Sequence, residues 1–166
     1  LETGYATGAD DPWAGSPFNW IRALPSRAKG AVGEALVSDW YAQKGFEVTP
    51  PTNSGHDRIV EGHRIEVKLS PLWKAGGFAF QQIRDQDYDY LFCIGLSPFD
   101  VQAWFFPKSI LREYVFGHMG QHTGATAQDT SWLKFQVDEP FSWMAPYGER
   151  LSDVERLSRE AGRGPH

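Results

Sequence analysis

Apolar positions recur every three or four residues at Ala28, Ala31, Val32, Ala35, Leu36 and Trp40, the spacing of one helix face. Pro25 and Ser26 precede this stripe, with Ser26 placed to act as an N-cap, and Gly45 follows it as a C-terminal stop. Beyond Gly45 the pattern shortens. Residues 46–49, 57–60 and 63–69 read as strands, divided by the turn-rich run 50–55 and by the hairpin signal Glu61-Gly62. Residues 71–77 read as a loop and 78–83 as a further strand. Residues 90–96 are continuously apolar, as in a strand buried on both faces, and 101–106 supply a hairpin partner. Pro107 at the first helical position predicts a helix to about residue 116. A loop rich in Gly, His and Thr follows, then a late strand at 132–137 and a short polar helix at 151–161. Residues 1–19 read as an irregular arm anchored by Trp13 and Phe18.

These elements predict an α/β fold with a central mixed sheet flanked by helices. At 166 residues the chain falls within the range of one domain. Seven tryptophans and eleven phenylalanines exclude a chain that is disordered throughout. The single cysteine, Cys93, has no internal disulfide partner, which favours a reducing compartment and an expected cytoplasmic location. No signal peptide is evident, and no apolar run is long enough to span a bilayer, so no membrane association is expected.

The net charge of −5 taken alone argues mildly against a nucleic-acid binder, but its distribution softens that. Residues 58–84 hold five basic residues (Arg58, Arg64, Lys68, Lys74, Arg84) against two acids. The acids gather instead at 85–89 and in the C-terminal third.

The run Glu66-Val67-Lys68 carries the chemistry. On a strand, Glu66 and Lys68 share one face while Val67 points to the core. Asp57, on the preceding strand, and Glu34, beside Gly33 on the first long helix, supply two more carboxylates. Acids clustered around a retained cation suit a hard divalent metal, a water and a phosphate. Taken singly, each residue has an ordinary reading. Glu66 and Lys68 pair on many solvated strands, Glu34 suits a helix surface, and Asp57 suits a turn.

In this order and on these elements the residues resemble the PD-(D/E)XK nuclease superfamily, the restriction-endonuclease-like fold. The matched part, residues 26–107, is about half the chain. One departure is His56, where the family motif has proline before Asp57. The resemblance implies a restriction-endonuclease-like core at 26–150, with an N-terminal arm at 1–25 and a C-terminal helix and tail at 151–166. It implies a metal-dependent endonuclease hydrolysing DNA phosphodiesters in restriction or defence. The alternatives are junction resolution or repair on the same core, and a catalytically silent nucleic-acid-binding module.

Under this resemblance Asp57, Glu66 and the Val67 carbonyl hold Mg²⁺, with Mn²⁺ as a substitute. Glu34 binds through water or at a second metal. Lys68 orients the attacking water, and Gln82, or Gln81, takes the place of a family glutamine. Candidate DNA contacts are Arg58, Trp73, Lys74, Arg84, His118 and His122. Trp73 is also placed to stack on a base or pack in the core. His118 and His122 have the four-residue spacing of a helical zinc pair, though flanking glycines favour a loop. A homodimer is expected because one site faces one phosphate, with Trp13, Trp132, Trp143 and Tyr147 as spare aromatics for the interface.

Overall fold

The computed structural model describes residues 11–120 and 130–163. The elements run α1 (Asn19–Arg22), α2 (Ser26–Gln43), β1 (Val48–Thr49), β2 (Arg58–Val60), β3 (His63–Pro71), β4 (Gly77–Ile83), β5 (Tyr90–Leu96) and β6 (Val101–Pro107). They continue with α3 (Lys108–Tyr114), β7 (Ser131–Gln136), a 3-10 turn (Ser142–Tyr147), β8 (Gly148–Glu149) and α4 (Leu151–Arg163). Six strands form one sheet in the order β1-β2-β3-β5-β6-β8. Within it β3 and β5 are parallel and the other pairs antiparallel, so the sheet is mixed as expected. Strands β4 and β7 form a separate antiparallel ribbon.

Alternation along the central strands feeds two cores. Phe92, Ile94 and Leu96 of β5 join Ile65 and Val67 of β3 on one face, under Val37 and Tyr41 of α2 and Val154 of α4. Leu91 and Cys93 join Trp104 and Phe106 on the other face, under Phe78, Phe80, Leu133 and Phe135 of the ribbon. Strand β5 is therefore covered on both sides, which is why its sequence is continuously apolar. Helix α4 belongs to the first core, and Tyr41 Oη meets Ser158 Oγ at 2.8 Å between α2 and α4.

Several expectations are corrected. The buried face of α2 is Gly33, Val37 and Tyr41, one residue on from the expected stripe; Val32, Leu36 and Trp40 flank it, and Ala31 and Ala35 face solvent. The larger rings set the rotation, since alanine has little surface to bury. Ser26 is the first helical residue, and Pro25 holds the cap position without a side-chain bond. Likewise Pro107 caps α3 rather than opening it. The first two strands are shorter than predicted, and Asp57 lies just before β2. Trp13 is buried in the first core at 3% exposure, so it anchors the arm and offers nothing to a partner; the exposed large apolar side chains include Trp20 and Phe99. His118 lies in a turn, so the helical zinc spacing is not realised there, and His122 lies outside the described residues.

Other signals hold. Gly45 ends α2 at φ +86°, where Phe46 N donates to Tyr41 O and Gly45 N to Ala42 O. Glu61 and Gly62 both take positive φ in the β2–β3 turn, as a two-residue hairpin requires. No helix among the described residues is long and apolar enough to cross a membrane.

The ribbon is docked on the sheet through a missing side chain. A Cβ placed on Gly95 would stand 2.7 Å from the Phe78 ring, so only glycine lets the two layers close. Gly95→Ala is expected to lower stability by about 1–3 kcal/mol in urea melts, the usual cost of overpacking. Phe78→Leu in the same chain should recover part of that loss, because the two positions touch. Simple additivity of the two changes would rule out this contact as the cause.

Candidate active site

The site forms where the β2–β3 ladder stops. Asp57 N donates to Ile65 O at 2.9 Å, one bond beyond the strand pair. At the next rung the Asp57 side chain replaces the backbone, and its carboxylate accepts Val67 N–H at 2.8 Å. Beyond that rung the edge of β3 is left open by β2. Ile65 and Val67 direct their backbone groups to this edge, so the Val67 carbonyl faces it too.

Glu66 and Lys68 point from β3 to the ribbon side, and Lys68 Nζ lies 3.6 Å from Glu66 Oε2. Glu34 comes over the edge from α2, with Arg58 Nη1 at 3.5 Å from its Oε1. Gly33 sets how close the helix lies, since a Cβ there would be 3.0 Å from Leu69 Cβ. Glu34, Asp57, Glu66 and Lys68 line a pocket of about 570 Å³.

The loop before Asp57 is held by a buried histidine. Thr52 N–H donates to His56 Nε2 at 3.2 Å, which leaves the proton on Nδ1 to donate to Asp87 O at 2.9 Å. Asn53 Nδ2 donates to Asp87 Oδ2 at 2.7 Å, and Arg64 pairs with both Asp87 and Asp89. The acidic run at 85–89 thus clamps the loop that carries Asp57. His56, the departure from the family motif, is part of that clamp.

The ribbon closes the other side. Ser70 Oγ accepts Ala79 N–H at 3.0 Å and donates to Pro71 O at 2.9 Å, fixing β4 against β3. An unbroken strand would send Gln81 and Gln82 to opposite faces. The register shift between Phe80 and Ile83, with Gln82 at φ +53°, turns both toward the pocket.

The structure therefore brings together Glu34, Asp57, Glu66, Val67, Lys68, Gln81, Gln82 and Trp73. Arg58 touches the site through Glu34 and the Asp57 carbonyl, to which it donates at 2.7 Å. Lys74, Arg84 and His118 do not line this pocket. Sequence reasoning missed Arg27 and Lys29, which line it from the start of α2. A signal was present, because cations in a first helical turn oppose the helix dipole and call for some compensation.

Three carboxylates (Glu34, Asp57, Glu66) and three cations (Arg27, Lys29, Lys68) line the pocket. Glu66 feels both burial and a neighbouring like charge. Burial, followed by the nearby Asp57 charge, pushes its carboxyl up to about 8, against the pull of Lys68. Glu34 is raised for the same first two reasons, with Arg58 opposing. Burial also lowers the Lys29 ammonium.

This donor set suits a hard cation. Its ligands are carboxylate and carbonyl oxygens, and the crowded acids gain from added positive charge. Among the described residues no three His, Cys, Asp or Glu side chains stand together as a ready cage.

No protein-family model matches the chain, and no curated protein is similar enough in sequence to count as a relative. Among solved structures it is similar to a bacterial homing endonuclease, I-Ssp6803I, at 17% identity and a TM-score of 0.55. That likeness covers 83% of this chain and 94% of the other. At such identity the likeness is one of fold.

The raised Glu66 has a consequence for metal-free stability. Its folded pKa of about 8 exceeds the ordinary 4.5, so the folded state holds the extra proton between those values. Stability is fullest below pH 4.5 as far as this group is concerned, and falls as pH rises to about 8. The slope reaches at most about 1.4 kcal/mol per pH unit. Urea melts in chelator at pH 5 and pH 8 should show this fall in the wild type and a flatter profile in Glu66→Gln. Equal slopes in the two proteins would remove Glu66 as its source.

Proposed function

We propose that the chain is a metal-dependent endonuclease that hydrolyses DNA phosphodiester bonds on a PD-(D/E)XK, restriction-endonuclease-like core. The observation that carries this reading is the convergence of Asp57, Glu66 and Lys68, with Glu34, at the open edge of β3. A solvated ion pair accounts for Glu66 and Lys68 alone, but not for two further carboxylates crowding a half-buried pair. The fold likeness to a homing endonuclease agrees with DNA as the substrate. Restriction or defence is the setting we favour.

Asp57 and Glu66 would hold Mg²⁺, or Mn²⁺ in its place, with the Val67 carbonyl. Such an ion supplies neutralisation of phosphate charge and acidification of a bound water. With it, and with all three carboxylates ionised, the formal charge of the lining changes from balanced to net positive, which favours phosphate. Lys68, kept beside Glu66, orients the attacking water and stabilises charge that grows on the phosphate. Arg58 holds Glu34 in place, and Arg27 and Lys29 receive the flanking backbone phosphate. One pocket faces one phosphate, so double-strand cleavage calls for a second copy of the chain or a rebinding step.

Plasmid DNA incubated with Mg²⁺, with and without chelator, tests this directly. Asp57→Ala and Glu66→Ala should each abolish cutting and also abolish the rise in melting temperature that Mg²⁺ gives the wild type. Near wild-type cutting by either variant would sink the assignment.

Lys68→Ala should cut slower by about 10²–10³-fold, as for loss of one transition-state donor, while keeping the Mg²⁺-dependent rise. Lys68→Arg should rescue poorly, because a planar guanidinium replaces a point charge. Loss of metal binding in a folded Lys68→Ala would show that the lysine supports the metal site instead.

A further inference from the structure

A second cavity adjoins the first. It has a volume of about 550 Å³ and shares Trp73, Ala79 and Gln81 with the carboxylate pocket. It lies on the outward face of the β4–β7 ribbon. Phe78, Phe80, Leu133 and Phe135 point inward to the core, so Ala79, Gln81, Trp132 and Lys134 point outward. Trp73 and Lys74 reach it from the β3–β4 turn, which Gly76 closes at φ +91°.

This outward face departs from the usual pattern. A solvated ribbon face is ordinarily polar, yet two tryptophans stand here. Trp73 is 45% exposed, in the middle of a surface whose charged lining residues, among the described residues, are Lys74 and Lys134. Trp132 Nε1 is buried without a hydrogen-bond acceptor among the described residues. The Lys134 ammonium lies 5.8 Å from the Trp132 ring centroid, at the limit of a cation–π contact. A phosphate would draw it away with little loss.

Small floor, aromatic walls, positive rim and continuity with a phosphodiesterase pocket define one occupant. We infer that this cavity is a stacking subsite for an unpaired nucleotide adjoining the phosphate that is cut. The base stacks on Trp73, with Trp132 as the second wall, and Lys74 and Lys134 take its backbone phosphate. The bases of an intact duplex are stacked on one another and offer no free face to Trp73. The preferred substrate is therefore DNA with a single-stranded, frayed or flipped nucleotide beside the cleavage site. The choice of cleaved DNA as the ligand rests on the nuclease reading of the adjoining pocket; the stacking site itself is measurable without cleavage.

The first arm of the test is binding. Labelled oligo-dT of about ten nucleotides is titrated in chelator, with anisotropy and tryptophan quenching as readouts. The wild type should bind with quenching. Trp73→Ala should weaken binding by roughly tenfold or more, the loss of one base–aromatic stack, while Trp73→Phe keeps most of it. Lys134→Ala should reduce the slope of binding against log salt by about one phosphate contact. The second arm is cleavage with Mg²⁺ of a fully paired duplex and of the same duplex carrying one mismatch. The wild type should prefer the mismatched duplex, and Trp73→Ala should lose that preference.

Wild-type oligonucleotide affinity in Trp73→Ala would overturn the subsite, as would a wild type that binds no oligonucleotide. Cleavage by the wild type together with either result leaves the nuclease reading intact and removes only the subsite. Trp73-dependent binding in a protein that cuts no DNA would uphold the subsite and remove the nuclease reading.

Discussion

One hydrogen bond organises this protein's site: Val67 N–H to the Asp57 carboxylate, at 2.8 Å. A backbone ladder normally continues by pairing carbonyl with amide. Here a side chain takes the next rung, which satisfies the amide of a half-buried strand and ends the pairing in the same step. The edge of β3 is thereby opened without an orphaned donor at Val67. Asp57 is also held near Glu66, because Val67, whose amide it accepts, is the next residue along β3.

That arrangement brings like charges together, and the surrounding structure carries the cost. Glu66 is largely buried beside Asp57, and Glu34 is drawn to the same place. Lys68 and Arg58 offset part of the repulsion without removing it. The clamp of His56, Asn53, Asp87 and Arg64 supplies compensating order at the loop. Local rules broken at one point and compensated next to it are the pattern expected of a functional site.

The sequence revealed the strand that carries the candidate site because three signals coincide there. They are alternation at Glu66-Val67-Lys68, the Glu61-Gly62 turn before it, and the apolar run of β5 after it. It did not reveal the rotation of α2, because Ala31 and Ala35 count as apolar in a pattern but bury little in a structure. It did not reveal that 78–83 pairs with the late strand at 131–136, since non-local pairing leaves no mark in either segment. The acidic run at 85–89 read as displaced charge, yet it is the partner of Arg64 and His56. Pairing of that kind depends on which loops meet, and that is settled only by the tertiary fold. Arg27 and Lys29 do not stand out in the sequence, because basic residues on a helix are ordinary until their opposition to the dipole is weighed.

The crossover between the parallel strands β3 and β5 explains why two cavities adjoin. Such a connection is usually a helix. A helix presents a broad apolar stripe to the sheet and leaves its polar side facing away. Strand β4 instead alternates, with Phe78 and Phe80 in the core and Ala79 and Gln81 outside. The residues that dock the ribbon and the residues that line the cavities are therefore neighbours on one strand. Ser70 binds that strand to β3 at Ala79, where both cavities meet. A displacement of the ribbon would move the floor of the aromatic cavity and the two glutamines together. The bulge at Gln81-Gln82 then has a structural reason: it lets a strand already committed to the core present two consecutive polar side chains to the carboxylate pocket.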